Sequence, residues 1–136
     1  MKCKKLALRV LSTAAVLSIV SSIAAPAFAD VYDLTKGDIS VGFNEDNKQT
    51  VTQTDDKGNY VKNKDDKEIK DLVDENVTIT TKDAETDEVK TTDNTVTVKS
   101  DKGQTAKVTL EDVNIKSSEK AAMTVTGNGS VQLELN

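Results

Sequence analysis

The sequence predicts an all-β fold from two observations. Apolar and polar residues alternate strictly in five short segments, at residues 96–98, 108–110, 113–115, 123–125 and 131–135. Turn-forming stretches that contain Gly, Asn, Asp or Ser separate these segments. Period-two alternation of β-branched residues between turn signals is typical of half-buried strands. We therefore expect residues 96–136 to be the most regular part of the fold.

The first 29 residues, here the leader, have the order of a bacterial secretory signal peptide. A basic start is followed by an uncharged, largely apolar run, which ends in Ala27-Phe28-Ala29. Small residues at positions 27 and 29 predict Sec-type cleavage after Ala29. An uncleaved membrane anchor is the alternative, and the interleaved Ser and Thr residues weaken it. We expect a secreted or cell-surface protein with no stable membrane insertion after cleavage.

Residues 30–95 form the second predicted region, which is acidic and rich in loops. Alternation at 39–43 predicts a first strand, and residues 76–80 predict another. Between residues 44 and 95 there are 15 acidic and 8 basic residues, so we expect much of this stretch to be solvated and partly disordered. Residues 55–59 and 63–67 predict turns or mobile loops, and residues 68–74 predict one helical turn.

Two architectures fit the strands of the third region, residues 96–136. One is a small antiparallel β-sandwich, and the other is a β-solenoid in which very short strands stack in parallel. Val108-x-Leu110 and Val131-x-Leu133 repeat at an offset of 23 residues, which favours the solenoid. At this offset Glu134 would stack on Glu111.

Three motifs at the end of the chain carry a resemblance to a known family. They are Val-Thr-Leu-Glu-Asp-Val-Asn-Ile at 108–115, Ala-Ala-Met-Thr-Val at 121–125 and Val-Gln-Leu-Glu-Leu-Asn at 131–136. They resemble the opening coil of a bacterial family of secreted carbohydrate-binding domain proteins, with Met123 in place of the usual Ile. The resemblance implies a right-handed parallel β-helix, incomplete at its C-terminal end, and extracellular polysaccharide binding. In some members of the family the polymer is acidic and pectin-like, and calcium takes part.

Composition excludes several classes of function. Without the four basic residues of the leader, residues 30–136 carry 14 Lys and Arg against 23 Asp and Glu, a net charge of −9. Such a surface repels phosphate backbones, so we expect no nucleic-acid partner. The same region has no Cys, His or Trp, which excludes disulfides, Cys/His zinc sites and His-dependent triads. With only Tyr32, Phe43 and Tyr60 as aromatic residues, sugar binding would depend on polar groups or a bridging cation.

Two sets of carboxylates are candidates for chemistry. Calcium could bind to carboxylates of the acidic loop, which are those of Asp55, Asp56, Asp65, Asp66 and Glu68. The spacing of these residues matches no calcium-loop motif. A solvated charge run is the alternative. Glu111, Asp112 and Glu134 could support glycoside hydrolysis if two of them faced each other, but surface carboxylates more often have no such role.

The sequence thus predicts a non-enzymatic extracellular carbohydrate-binding module, with no catalytic or cofactor-binding residues assigned. One alternative is an adhesin-like β-domain that self-associates through an open β edge. A calcium-dependent polysaccharide-active enzyme is a further alternative, and we expect it least.

Overall fold

The computed structural model describes residues 30–136 and the backbone of two leader strands, β1 (Val10–Ser12) and β2 (Ser18–Val20). The predicted cleavage motif at residues 27–29 lies outside the described residues, as does most of the leader. The signal peptide therefore stays a prediction.

The described chain is all-β, which confirms the predicted fold class at that level. From residue 31 onward the strands are β3 (Val31–Asp33), β4 (Asp38–Phe43), β5 (Gln49–Thr54), β6 (Leu72–Val73), β7 (Val77–Thr80), β8 (Thr91–Thr92), β9 (Val96–Lys99), β10 (Thr105–Leu110), β11 (Asn114–Ile115), β12 (Met123–Thr126) and β13 (Ser130–Leu135). A single turn of 3-10 helix, Leu34–Lys36, lies between β3 and β4.

The chain visits three sheets in a repeating order. The sheets are a six-stranded one ordered β1-β12-β9-β4-β5-β6, a five-stranded one ordered β2-β13-β10-β7-β3, and a two-stranded one formed by β11 and β8. The second circuit, β7–β8–β9, passes from the five-stranded to the two-stranded to the six-stranded sheet. The third circuit, β10–β11–β12, repeats this order, and β13 follows in the five-stranded sheet. The first circuit has β3, the 3-10 helix and β4 in the corresponding places.

Strands in the same sheet of successive circuits pair in parallel. The antiparallel sandwich is therefore wrong for these strands. The predicted register between β10 and β13 is also wrong, because Val108 lies opposite Leu133 and not opposite Val131. In the six-stranded sheet, Val96 lies opposite Met123, so the step from one circuit to the next is longer there than the step from Val108 to Leu133.

One hydrophobic core joins the regions on both sides of residue 95. The inward positions of all three circuits are buried, and the cluster extends from Tyr32 through Ile79 and Val98 to Leu133. Alternation explains this burial, since successive residues of a strand point to opposite faces. In β9, for example, Val96 and Val98 are buried while the residues between and after them are exposed. The predicted strands at 39–43, 76–80 and 96–135 are all present, with small differences at their ends.

An antiparallel insertion follows β4. Strand β5 pairs with β4 and β6 pairs with β5, both antiparallel. Gln53, Val61 and Ile69 then close a ring of backbone hydrogen bonds, from Gln53 N–H to Ile69 O, Ile69 N–H to Val61 O and Val61 N–H to Gln53 O, at 2.8–2.9 Å. The predicted helical turn at 68–74 is wrong, because Ile69 belongs to this ring and Leu72–Val73 is a strand.

The turns of the insertion are as predicted. Asp55 Oδ1 accepts hydrogen bonds from the backbone N–H groups of Lys57 and Asn59, both at 2.9 Å. Asn63 Oδ1 accepts the equivalent pair in the next turn. Gly58 and Asp66 occupy the position of positive φ in the two turns, at 81° and 60°. The polar composition of this stretch therefore encodes defined turns.

Candidate functional site

A polar groove crosses the three circuits on the side of the 3-10 helix and the two-stranded sheet. It encloses about 1100 Å³. Its lining consists of residues 35–38 of the first circuit, 91–94 of the second and 116–120 of the third, with residues 55, 56 and 58 of the insertion at its border. The groove therefore presents corresponding segments of successive circuits side by side.

Hydrogen bonds between circuits fix the shape of the groove. Asn94 Nδ2 donates to the carbonyl of Leu34 at 2.8 Å, and the Thr95 N–H donates to Asp38 Oδ1 at 2.8 Å. On the other side, the Lys116 N–H donates to the carbonyl of Thr92 at 2.8 Å. Each lining segment is thus held by its neighbour, and the groove is largely formed without a ligand.

The lining offers hydroxyl, amide and charged groups and contains no aromatic residue. Its charged residues are Lys36, Lys116, Lys120, Asp38, Asp55, Asp56, Asp93 and Glu119, which is three cations against five anions. Lys120 Nζ lies 3.7 Å from Asp38 Oδ2. Hydrogen bonds from the backbone of Asn59 and then Lys57 lower the pKa of Asp55, so this carboxylate is charged and already bound by its own turn.

The structure does not gather the acidic residues considered for calcium. Within residues 30–136, no three acidic side chains come close enough together to hold a metal ion. Asp55 and Asp56 border the groove, while Asp65 lines a separate cavity of about 430 Å³. Asp66 lies 3.7 Å from Lys62 Nζ, and Glu68 sits opposite Lys62 in an antiparallel bridge. These residues therefore do not form the oxygen-rich cage that calcium requires.

The carboxylates considered for glycoside hydrolysis are not aligned as predicted. Glu134 lies opposite Thr109 in the β10–β13 register, so its predicted stacking on Glu111 is wrong. The carboxylate of Asp112 lies 3.6 Å from Lys82 Nζ, and its carbonyl accepts a hydrogen bond from Thr81 Oγ1 at 3.1 Å. Asp112 therefore holds neighbouring circuits together.

A buried polar pair lies near the smaller cavity. Tyr32, which lines that cavity, donates its hydroxyl hydrogen to Asp74 Oδ2 at 2.9 Å. Burial raises the pKa of the Asp74 carboxyl, and burial together with this hydrogen bond raises the pKa of Tyr32. The pair ties β3 to the segment that follows β6.

Sequence reasoning did not find the groove. Its central residues are the polar runs Thr-Thr-Asp-Asn at 91–94 and Lys-Ser-Ser-Glu-Lys at 116–120. Each run lies at or just after a strand of the two-stranded sheet and before a strand of the six-stranded sheet. That equivalent placement in successive circuits was the available signal, but it becomes visible only once the circuits are aligned.

No family model, curated protein or solved structure matches this chain. The resemblance of residues 108–136 to a carbohydrate-binding family therefore stays a prediction. None of the described residues belongs to a helix long and apolar enough to cross a bilayer.

Proposed function

We propose that this protein is a non-enzymatic, extracellular or cell-surface module that binds a polysaccharide in the polar groove. One observation carries the proposal: the groove is open and runs across corresponding segments of three circuits. Adjacent parallel strands lie about 4.8 Å apart, so three circuits place similar polar groups at regular steps over about 10 Å. A polymer of repeating sugar units suits a surface of this kind.

We further infer that the fold is a partial right-handed parallel β-helix. The support is the repeated sheet order and the parallel register in all three sheets. Connections between parallel strands of one sheet are almost always right-handed. The antiparallel insertion, residues 49–73, would then be a lateral addition to the first circuit.

The chemistry of the lining suits hydrogen bonding to sugar hydroxyls. Thr, Ser and Asn side chains both donate and accept, and lysine ammonium groups donate to ring and hydroxyl oxygens. Because no aromatic ring lines the groove, stacking on a sugar face contributes little there. Binding would therefore depend on polar contacts.

The charge of the lining favours a neutral polymer. Five acidic residues against three lysines would repel a polyanion at short range. An acidic, pectin-like polymer would need a cation such as calcium between its carboxylates and those of Asp55, Asp56 and Asp93. A neutral polymer needs no such bridge, so we expect it to bind more tightly in the absence of calcium.

The test compares groove lysines with a lysine elsewhere. Lys36 and Lys116 are exposed in the groove, and Lys107 is exposed on the five-stranded sheet. Affinity electrophoresis against neutral polysaccharides, and against polygalacturonate with and without calcium, measures retardation of each variant. We expect at least one polymer to retard the parent. The double variant Lys36→Ala/Lys116→Ala should lose about tenfold in affinity, which is about 1.4 kcal/mol.

The control Lys107→Ala should bind as the parent does. Equal binding by the groove variant and the parent would contradict the site, and no retardation by any polymer would contradict the function. Assaying the same mixtures for new reducing or unsaturated ends tests the enzymatic alternative. We expect none.

A further inference from the structure

The smaller cavity has a chemistry that the groove lacks. It encloses about 430 Å³, which is within the range of small-molecule sites. Its hydrophobic lining consists of Val31, Tyr32, Val61, Ile69 and Ala84. None of the described residues that line the groove is hydrophobic. Because a hydrophobic wall binds the apolar part of a ligand by removing it from water, the smaller cavity suits a different class of ligand from a sugar polymer.

Hydrogen bonds hold three walls of the smaller cavity in place. One wall is β3, and a second is the backbone ring of the insertion. Gln53 Nε2 joins these two walls by donating to the carbonyl of Asp33 at 2.8 Å. A third wall comes from Thr80, Lys82 and Ala84, where the Lys82 N–H donates to Thr80 Oγ1 at 3.0 Å. The cavity is therefore formed without a ligand, which lowers the cost of binding.

The charged lining of the smaller cavity has an excess of cations. Its charged residues are Lys36, Lys62, Lys64, Lys82, Asp30, Asp33 and Asp65. Four lysines against three aspartates give the cavity a net charge of +1, although residues 30–136 together carry −9. The groove, with three cations against five anions, has the opposite sign. A ligand with a negative charge therefore complements the smaller cavity and not the groove.

Lys64 is the lysine best placed to receive an anion. It is exposed, and the described residues include no ion-pair partner for it. Lys62 and Lys82 already form ion pairs with neighbouring carboxylates, and Lys36 lines both the smaller cavity and the groove. The backbone next to Lys64 is fixed, because Asn63 Oδ1 accepts two N–H groups of the same turn. The Lys64 ammonium group is thus available at a defined position.

We propose that the smaller cavity binds a small amphipathic anion, in which a carboxylate is carried on an apolar or aromatic body. The carboxylate accepts a charge-assisted hydrogen bond from Lys64 Nζ. The apolar body packs against Val61 and Val31, and it covers a valine that is otherwise 63% exposed. Both parts of the ligand contribute, because the cavity combines hydrophobic walls with an excess of positive charge.

The first arm of the test compares three probes that share one ring system. They are 2-naphthoate, 2-naphthamide and 2-naphthylmethylammonium, which carry a negative charge, no charge and a positive charge at neutral pH. Equilibrium dialysis against the full chain measures the Kd of each probe. We expect 2-naphthoate to bind about fivefold more tightly than the neutral probe, because its hydrogen bond to an ammonium group is charge-assisted on both sides. The cationic probe should bind most weakly.

The second arm locates the site with single substitutions. Lys64→Glu should weaken the binding of 2-naphthoate by about tenfold and leave that of 2-naphthamide unchanged. Val31→Ser should weaken the binding of both probes by the same factor, since it removes apolar contact alone. The control Lys102→Glu makes the same charge change in the turn between β9 and β10, lines neither cavity and should bind as the parent does. All three side chains are exposed, so the variants should keep the thermal unfolding midpoint of the parent.

Three results would overturn the proposal. One is the absence of 2-naphthoate binding at millimolar concentration, and another is equal binding of the three probes. The third is a Lys64→Glu variant that binds 2-naphthoate as tightly as the Lys102→Glu variant does. None of these results depends on polysaccharide binding, because Lys64 and Val31 line the smaller cavity and not the groove.

Discussion

Gln49 should be one of the most important polar residues for stability. The residue is 2% exposed, and its side chain forms three hydrogen bonds to backbone groups. Its Nε2 donates to the carbonyls of Asp74 and Lys107 at 3.0 and 3.1 Å, and its Oε1 accepts the Lys107 N–H at 2.7 Å. The β7–β10 register begins at Val108, so the Gln49 amide takes the place of a strand partner for Lys107.

Gln49→Met keeps the length of the side chain and removes all three bonds. A buried polar group left without a partner costs about 1–3 kcal/mol. The substitution leaves three backbone groups without this partner: the carbonyls of Asp74 and Lys107 and the Lys107 N–H. At the low end of that range, their loss lowers the free energy of unfolding by about 3 kcal/mol. With an m-value of about 1.5 kcal/mol per molar urea, the urea midpoint falls by about 2 M. Amide hydrogen exchange at Lys107 should accelerate in the same variant.

The control is Gln132→Met. Gln132 is half-buried in β13, and we expect its substitution to change the free energy of unfolding by less than about 0.5 kcal/mol. A Gln49→Met variant as stable as the Gln132→Met variant would refute the reasoning. It would mean that water or a rearranged strand replaces the amide at no cost.

Three further predictions concern stability. Gly129→Ala should lower the free energy of unfolding by about 1–3 kcal/mol, because an added Cβ would clash with the carbonyl oxygen of Asp101. The control is Gly42→Ala, whose Cβ would meet nothing within 4 Å and should leave thermal unfolding unchanged. Asn63→Ala removes two turn hydrogen bonds and should lower the free energy of unfolding, measured by urea denaturation, by about 1 kcal/mol. The control Lys64→Ala should leave that free energy unchanged. Because burial raises the pKa of Asp74, protonation of this carboxyl stabilises the folded state. This stabilisation is full below the ordinary carboxyl pKa of about 4 and is lost as pH rises through the folded-state pKa. Asp74→Asn should therefore gain stability relative to the parent between about pH 3 and pH 7, and parallel stability curves over that range would contradict this.

The strands of residues 96–136 were predictable because their side chains alternate between core and solvent. The register between them was not. Alternation of period two is unchanged by a shift of two positions, so Val108 fits opposite Val131 as well as opposite Leu133. The circuits also differ in length, since the step from Val96 to Met123 is longer than the step from Val108 to Leu133. No single repeat length could have aligned them.

The insertion shows why polar composition misled the prediction for residues 44–95. Gln49 and Gln53 read as solvated residues, yet both are buried and hydrogen-bonded to backbone groups. Ile69, Leu72 and Val73 have helical spacing, but the backbone ring with Gln53 and Val61 holds Ile69 in extended structure. Tertiary hydrogen bonds decided both cases. The even spacing of Gln53, Val61 and Ile69, with a turn in each interval, was the signal available.

The groove depends on the same alignment of circuits. Residues 35–38, 91–94 and 116–120 are far apart in sequence, and they share a polar character that many surface loops have. The sequence did indicate that any sugar site would depend on polar groups instead of stacked aromatic rings. It could not indicate which loops meet.

The most direct measurement is a nuclear magnetic resonance titration of the isotope-labelled full chain with soluble polysaccharides. If the groove binds a polymer, amide shifts will cluster at residues 35–38, 91–94 and 116–120 and will saturate together. Amides of the five-stranded sheet, such as that of Lys107, will remain unchanged. Shifts confined to other surfaces, or the absence of shifts with neutral and calcium-loaded acidic polymers alike, would contradict the proposed function.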